Sequence, residues 1–273
     1  MMESYKENFE KIREQNRPVF SALERALKHL DVDFYLIGAQ SRDVWTNHIE
    51  LKGKRTTADI DYLVYVKDRD SWNDLIDYLL KNEAFSRDKN LPYRFYKEGT
   101  LDLIPFGGIE QAGEVLLDEP AMELSVIGCK EVTENASIAE GDFKIITLPG
   151  LCILKLVAYG EKPDHRAKDY SDFLFLLQNY HEIADEELFH GVYDDLIEGD
   201  FELLISAARM LGRQLKPILQ TNDELKGKIL GVLQAKLSRF SMEAIEQMYA
   251  ADKNDSKVLE FKLIAETIKG IND

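Results

Sequence analysis

Residues 57–66 read Thr-Ala-Asp-Ile-Asp-Tyr-Leu-Val-Tyr-Val, so that two carboxylates interrupt a run of β-branched, aliphatic and aromatic residues. Such a run predicts a largely buried β-strand. Side chains on a strand alternate between its two faces, so Asp59 and Asp61 would lie on the same face and could reach one cation. The alternative is a strand end that carries solvated acids. We favour a metal site, because strand stability does not require these two carboxylates.

A third acid, Asp102, lies in a second apolar run, residues 101–106, with the sequence Leu-Asp-Leu-Ile-Pro-Phe. A neighbouring strand could bring Asp102 to the same point as Asp59 and Asp61. Three carboxylates offer the oxygen ligands that Mg²⁺ or Mn²⁺ prefers. The pattern therefore predicts a site for Mg²⁺ or Mn²⁺ at Asp59, Asp61 and Asp102.

The composition suits a globular protein, which we expect to be cytoplasmic. The chain has 273 residues, 45% of them hydrophobic, and no apolar run of the length of a membrane span. Its start is charged and lacks the apolar core of a signal peptide. Its net charge is −16, with no obvious basic stripe for nucleic acid, which favours a small or cationic substrate, a basic protein partner, or a nucleotide whose phosphates carry metal ions. Cys129 and Cys152 lack metal-ligand spacing, so we expect buried free thiols.

The order of elements predicts an α+β fold, with a mixed β-sheet and flanking helices in residues 1–149 and a helical domain in residues 150–273. An amphipathic helix over 4–30, broken near Pro18, precedes a strand over 32–37 that runs into a helix at Gly38. A helix capped by Asp70 or Ser71 follows the Asp59/Asp61 strand, and a hairpin over 93–106 turns at residues 98–99. Residues 122–129 and 143–148 are predicted as strands, and only helices are predicted from residue 151 onward.

Gly38 allows a tight turn between a strand and a helix, and the first N–H groups of that helix could bind an anion such as a triphosphate. Ser41 and Arg42 follow in the same segment. Taken alone, the segment fits an ordinary turn better than a phosphate site. Lys155 lies in an otherwise apolar helix, where its charge needs either a path to solvent or an anionic partner. Lys168 and Asp169 could equally belong to a solvated helix start capped by Asp164.

These motifs together resemble the polymerase-beta-type nucleotidyltransferase superfamily. A strand ends in glycine and leads into a helix, and Asp-x-Asp and a third aspartate follow, each flanked by apolar residues. The sequence Arg-Thr-Thr-Ala-Asp-Ile-Asp at 55–61, with Lys-Leu-Val-Ala at 155–158 and Arg-Ala-Lys-Asp-Tyr-Ser-Asp at 166–172, is similar to the abortive-infection AbiE-type toxins of bacterial toxin–antitoxin systems. The resemblance covers about residues 33–178. One departure is Ala39-Gln40, where such families have a second glycine and then serine or threonine; Ser41 stands one place later.

The resemblance implies an enzyme that transfers a nucleoside monophosphate from an NTP to an acceptor hydroxyl and releases pyrophosphate. It implies that Lys155, Lys168 and Asp169 approach the active-site cleft from the helical half. The implied catalytic residues are Asp59, Asp61, Asp102 and Lys155, and the implied nucleotide-binding residues are Gly38, Ser41, Arg55, Thr57, Lys168 and Asp169. The implied acceptor is RNA, such as a tRNA end, and the implied protein partner is an antitoxin.

Two other functions remain open at this point. The acidic balance favours a small cationic acceptor, as in the antibiotic-modifying, aminoglycoside-type branch of the superfamily. The altered loop at residues 38–40 favours a non-catalytic nucleotide-binding module. Three acids kept together argue against such a module, because a protein that only binds nucleotide has little need for them.

Overall fold

The computed structural model of the chain describes residues 2–47, 59–199 and 201–273. Within these ranges the chain forms two compact units, one up to Thr147 and one from Leu148 to Asp273. The first unit contains all nine described strands, and the second contains only helices among its described residues. The α+β class predicted from the sequence is therefore confirmed. The division lies two residues from the predicted boundary at 149, and the organisation into two domains stays a prediction.

A mixed seven-stranded sheet forms the centre of the first unit, with the strand order β3-β4-β5-β2-β1-β9-β8. Its strands are β1 (Asp33–Ile37), β2 (Ile60–Val66), β3 (Ser86–Arg87), β4 (Arg94–Tyr96), β5 (Thr100–Gly107), β8 (Ser137–Glu140) and β9 (Phe143–Ile146). A separate two-stranded sheet consists of β6 (Glu114–Leu117) and β7 (Met122–Ser125). The central strand β2 runs antiparallel to β1 and parallel to β5.

The helices of the first unit are α1 (Met2–Gln15), α2 (Arg17–His29), α3 (Gly38–Thr46), α4 (Arg69–Asn82) and α5 (Cys129–Asn135). One face of the sheet packs on an aromatic cluster, in which Phe20 from α2 contacts Tyr62 of β2 and Phe143 of β9 edge to face, with ring centroids 6.2 and 5.2 Å apart. Tyr62 alternates with Asp61 along β2, so this buried face is opposite to the face that carries Asp61. Hydrophobic burial thus fixes which face of β2 carries its acid.

Several local predictions are confirmed. The N-terminal helix breaks at Asn16, just before Pro18. Strand β1 runs directly into α3 at Gly38, and β4 and β5 form the predicted hairpin around residues 98–99. Cys129 and Cys152 are both buried and free.

Other local predictions were wrong. Asp68, and not Asp70 or Ser71, caps α4, because its carboxylate accepts hydrogen bonds from the backbone and side chain of Ser71, each 2.8 Å long. Strand β7 ends at Ser125, since Gly128 adopts a left-handed conformation (φ 83°) and α5 begins at Cys129. The strand β2 begins at Ile60, so Asp59 precedes the strand instead of lying within it.

The second unit is built from α6 (Leu148–Glu161), α7 (Ala167–Ile183), α8 (Asp185–Leu188), a short 3₁₀ helix (Asp194–Leu196), α9 (Leu203–Leu219), α10 (Asp223–Leu237), α11 (Met242–Ala251) and α12 (Ser256–Asn272). Helices α9 and α12 approach closely where Gly212 faces Gly270, because a Cβ added to either glycine would lie 2.9 Å from the Cα of the other. No helix in the described part of the chain combines the length and the apolar character that crossing a membrane requires.

Candidate functional site

The candidate site lies on one row across four adjacent strands. Asp61 on β2 is in register with Asp102 on the parallel strand β5, and Asp102 is in register with Arg94 on the antiparallel strand β4. On the other side, Asp61 pairs with Ile37 at the end of β1. Residues in register on neighbouring strands project to the same face of a sheet. The fold therefore brings Asp61 and Asp102 side by side, as the sequence predicted.

Arg94 neutralises the third acid of this row. Its Nε donates to Oδ1 of Asp102 and its Nη2 donates to Oδ2, both over 2.7 Å. The Asp102 side chain is 9% exposed, so this bidentate pair is mostly removed from solvent. The hydrogen bond to Asp102 raises the pKa of Arg94 above its usual range, so the guanidinium stays charged. Arg94 thus supplies the positive charge that balances Asp102, in a bidentate geometry that matches the carboxylate.

Asp59 converges on the same guanidinium. Its Oδ2 lies 3.6 Å from Nη2 of Arg94, and its side chain is 39% exposed. Arg94 therefore links Asp102, on β5, with Asp59, which directly precedes β2. Arg94 thus contacts two of the three acids of the candidate site.

Gly38 and Asp61 are fitted to each other. Gly38 has a φ of +67°, a conformation that L residues with a side chain rarely adopt. A Cβ at this position would lie 2.9 Å from Cγ of Asp61 and closer still to its Oδ2. The glycine is required both for the turn into α3 and for the space that the Asp61 carboxylate occupies. The Asp61 side chain thus lies against the first residue of α3.

Most side chains that follow Gly38 in α3 are buried, whereas side chains that bind a ligand are accessible to it. The Ser41 side chain is fully buried, and its hydroxyl donates to the carbonyl of Ile146 over 2.7 Å. Trp45 donates to the same carbonyl over 2.8 Å, so both side chains tie α3 to the end of β9. Gln40 is 8% exposed. A nucleotide contact by Ser41 stays a prediction, and in this structure its hydroxyl serves the packing of α3.

Lys155, in the second unit, has the anionic partners that its apolar helix required. Its Nζ lies 2.8 Å from Oδ1 of Asp169 and 2.8 Å from Oδ2 of Asp172. Burial alone would lower the pKa of Lys155, but the two carboxylates outweigh it and the pKa is raised. Arg166 lies 3.5 Å from the other oxygen of Asp169, which is buried and accepts no hydrogen bond from the described residues. Lys155 is therefore a charged lysine held between α6 and α7.

The other predicted residues are placed as follows. Lys168 is exposed in the first turn of α7, and Asp169, in the same turn, is 4% exposed. Helix α7 begins at Ala167, so Asp164 does not cap it. Arg55 and Thr57, which were predicted to contact nucleotide, lie outside the described residues.

Sequence reasoning missed Arg94, although a signal was available. The predicted hairpin turns at residues 98–99, and pairing outward from this turn matches Tyr96 with Thr100 and Arg94 with Asp102. An arginine directly opposite an aspartate on a hairpin is a strong candidate for an ion pair. The register of the hairpin would have identified Arg94 as the partner of the third acid.

The donor set fits a hard divalent cation in chemistry, since carboxylate oxygens are the ligands that Mg²⁺ takes. Its geometry fits less completely. Within residues 2–47, 59–199 and 201–273, no group of three or more His, Cys, Asp or Glu side chains is arranged to hold a metal ion. Both oxygens of Asp102 accept hydrogen bonds from Arg94 at 2.7 Å, whereas Asp59 lies 3.6 Å from the same guanidinium. The residues thus fit a cation at Asp59 and Asp61 better than one that also includes Asp102.

Comparison with known proteins adds little to this geometry. The sequence matches no protein-family model, and no curated protein matches it significantly. Among solved structures, the chain is similar to a protein of H. pylori described as a candidate nucleotidyltransferase, with 15% sequence identity, a TM-score of 0.35, and coverage of 94% of this chain and 95% of that one. A likeness this weak supports no conclusion about function, which therefore depends on the residues described above.

Proposed function

We propose that the chain is a metal-dependent nucleotidyltransferase that moves a nucleoside monophosphate from an NTP to an acceptor hydroxyl and releases pyrophosphate. The observation that carries this proposal is the register of Asp61 with Asp102 on adjacent parallel strands, next to the turn at Gly38. The resemblance of the sequence pattern to nucleotidyltransferases also supports it, because Asp59, Asp61 and Asp102 are the three aspartates of that pattern.

The reaction makes one bond to phosphorus and breaks another. The acceptor oxygen attacks the α-phosphorus of the NTP, the bond to the β-phosphate oxygen breaks, and pyrophosphate leaves with the electron pair. When bound, Mg²⁺ would neutralise the phosphate oxygens and stabilise the charge that develops on the leaving group. Asp59 and Asp61 would hold this ion. Asp102 would accept the proton of the acceptor hydroxyl, a step that requires at least one of its two hydrogen bonds from Arg94 to be given up.

Arg94 gains a role in this proposal that the sequence did not suggest. It holds the Asp102 carboxylate in a single orientation and offsets part of the negative charge of the three acids. Without such a cation, mutual repulsion of the acids would disfavour their ionised forms. We therefore assign Arg94 as a positioning residue for Asp102. The implied roles of Lys155 and Lys168 in offsetting phosphate charge, of Asp169 as their neighbour in the cleft, and of Gly38 and Ser41 in the nucleotide loop belong to the same proposal.

For the acceptor, the resemblance favours RNA, and with it a toxin of a bacterial toxin–antitoxin system that acts in the cytoplasm. The net charge of −16 favours a small cationic acceptor of the aminoglycoside type. Incubation with labelled NTPs and either total RNA or an aminoglycoside separates the two, since only the true acceptor gains label. A growth arrest that a neighbouring gene product relieves would support the toxin role.

The test of the activity is pyrophosphate release with Mg²⁺ and each NTP in the presence of these acceptors. The double change Asp59→Asn/Asp61→Asn should abolish release, because amides do not supply the charge that the metal requires. Asp77→Asn is the matched control, since Asp77 is an exposed acid of α4 that pairs only with Lys81 among the described residues. Release that survives the double change would overturn the assignment.

A non-catalytic nucleotide-binding module is the second candidate. Two observations favour it, namely the departure from the family loop at Ala39-Gln40 and the engagement of both Asp102 oxygens by Arg94. Binding of an NTP that is lost in Asp59→Asn/Asp61→Asn, without turnover on any acceptor, would favour this candidate over the transferase.

A further inference from the structure

A cavity lies on the same face of the sheet as Asp61 and Asp102, nearer the other end of strands β1 and β2. Its volume is about 450 Å³. Aromatic rings from three strands and acids from β1 and the segments around β5 and α5 line it, including Tyr35, Tyr65, Phe106, Asp33, Glu110 and Glu134. The function proposed above uses none of these residues. The cavity combines a π-surface with carboxylates, which is the environment that binds organic ammonium ions.

Two residues that line the cavity, Tyr35 and Asp33, already bind an ammonium group of the protein itself. Nζ of Lys144 lies 4.8 Å from the ring centroid of Tyr35, 3.1 Å from the Tyr35 hydroxyl and 2.8 Å from Oδ2 of Asp33. Burial alone would lower the pKa of Lys144, but its hydrogen bonds to Asp33 and Tyr35 outweigh it and the pKa is raised. Asp33 and Tyr35 thus stabilise a primary ammonium with one carboxylate and one aromatic face.

The adjacent strand β2 adds a second aromatic ring to the cavity, that of Tyr65. Tyr65 is in register with Asp33 and is 41% exposed, so much of its ring is open to a ligand. Its position is fixed from below, because a Cβ on Gly107 (φ +99°) would lie 2.7 Å from the ring. Phe106 contacts the Tyr65 ring edge to face, with centroids 5.7 Å apart. The Tyr65 ring is therefore packed against Gly107 and Phe106 while part of it stays exposed.

Carboxylates also accompany this second ring. Glu110 and Glu134 line the cavity, and neither forms an ion pair with another of the described residues. Lys130 also lines it, and Lys144 pairs with Asp33, so the two carboxylates of Glu110 and Glu134 stand against the single charge of Lys130. The net charge of −16 of the whole chain raises the local concentration of cations further.

We propose that this cavity binds a small organic molecule with amino groups, whose ammonium lies over the Tyr65 ring and between Glu110 and Glu134. The site is independent of the proposed nucleotidyltransferase activity, since binding there needs neither NTP nor Asp59, Asp61 and Asp102. The Lys144 ammonium on Tyr35 and Asp33 shows the same recognition chemistry within the protein.

The test is calorimetric titration of the full chain with spermidine, a flexible triamine, without nucleotide or metal. We expect saturable binding to one site. Tyr65→Leu removes the π-surface and should weaken binding at least about fivefold, whereas Tyr65→Phe keeps the surface and should stay within about twofold of the original. The double change Glu110→Gln/Glu134→Gln should weaken binding about tenfold, because both carboxylates lose their charge.

The controls separate this site from general attraction to an acidic protein. Tyr96→Leu is matched to Tyr65→Leu, because Tyr96 is 39% exposed and lies outside the cavity, and it should leave binding unchanged. Uncharged 1,8-octanediol should not bind. Equal weakening by Tyr65→Leu and Tyr96→Leu, or spermidine binding that no cavity variant alters, would overturn the proposal. Thermal melts of each variant show that it is folded.

Discussion

Arg94 and Asp102 face each other across the β4–β5 hairpin and form a two-hydrogen-bond ion pair, with both donor–acceptor distances 2.7 Å. The pair is mostly buried on the carboxylate side, and Arg94 extends from it to Asp59, 3.6 Å away. The positive charge of Arg94 reduces the negative charge that Asp59, Asp61 and Asp102 present to a ligand. Stability measurements on variants of this ion pair therefore test the site without knowledge of the substrate.

We expect Arg94→Met to lower the free energy of unfolding by about 3 kcal/mol, because it leaves a buried carboxylate unpaired. The double change Arg94→Met/Asp102→Asn should recover part of this loss, since the amide carries no charge to compensate. Urea unfolding of the two single variants and the double variant measures the coupling free energy. A coupling close to zero would show that the pair contributes nothing to stability.

Gly38→Ala should destabilise the protein by at least about 2 kcal/mol, since the new Cβ meets both a left-handed conformation and the Asp61 carboxylate. Gly141→Ala is the matched control, because Gly141 also has a positive φ (+58°) but no atom within 4 Å of an added Cβ. It should cost only about 1 kcal/mol. Thermal or urea unfolding compares them, and equal losses would show that Asp61 does not depend on the glycine.

Tyr62→Phe should leave stability unchanged or raise it by up to about 1 kcal/mol. The Tyr62 hydroxyl is buried among aromatic rings and finds no hydrogen-bond partner among the described residues, so its removal relieves a desolvation penalty. Tyr180→Phe is the contrasting variant, because the equally buried Tyr180 hydroxyl donates to Gln214, and its loss should cost about 1 kcal/mol. A destabilised Tyr62→Phe variant would indicate that the hydroxyl has a partner after all.

Asp273 links stability to pH in the second unit. Hydrogen bonds from Arg209 and then Arg213 lower its pKa from 3.8 to about 2. A carboxylate with a lowered pKa contributes its full stabilisation above the unfolded pKa of 3.8 and loses it as the pH falls toward 2. Asp273→Asn should therefore cost about 1 kcal/mol at pH 7, a value reduced by solvent screening.

Urea unfolding of the two proteins at pH 7, 4 and 3 measures this difference, which should shrink between pH 4 and 3. Asp77→Asn, which removes an exposed pair with Lys81, should change stability by less than about 0.5 kcal/mol at each pH. A constant difference between Asp273→Asn and the unaltered protein across the three pH values would contradict the linkage.

Much of the local structure could be predicted because it depends on short-range chemistry. The strand before Gly38, the helix after it and the hairpin at residues 98–99 follow from apolar periodicity and from residues that permit turns. The errors have local causes too. Asp68 was overlooked as a cap because Asp70 and Ser71 are equally suitable residue types, and α5 was missed because Gly128 ends the extended segment within an apolar run.

The site was predicted in part. Asp59, Asp61 and Asp102 could be chosen from the sequence because each lies in or beside an apolar run that predicts a buried strand, where an acid does not contribute to strand stability. Arg94 could have been found from the hairpin register, but its contact with Asp59 could not, since that contact depends on β2 lying beside β5. The sequence placed Lys155, Asp169 and Asp172 in one motif region, yet only the packing of α6 on α7 shows that the two acids hold the lysine.

The sequence by itself determined the strand that carries Asp61, the glycine turn into a helix, the hairpin that carries Asp102, and the helical nature of the second half. These features follow from side-chain periodicity and backbone conformation over a few residues. Only the tertiary structure decided that β2 lies between β1 and β5, that Asp61 and Asp102 are neighbours, and that Arg94 neutralises one of three acids. Strand order and buried ion pairs depend on contacts between residues far apart in the chain, which hydrophobic burial of the whole unit selects and local patterns do not encode.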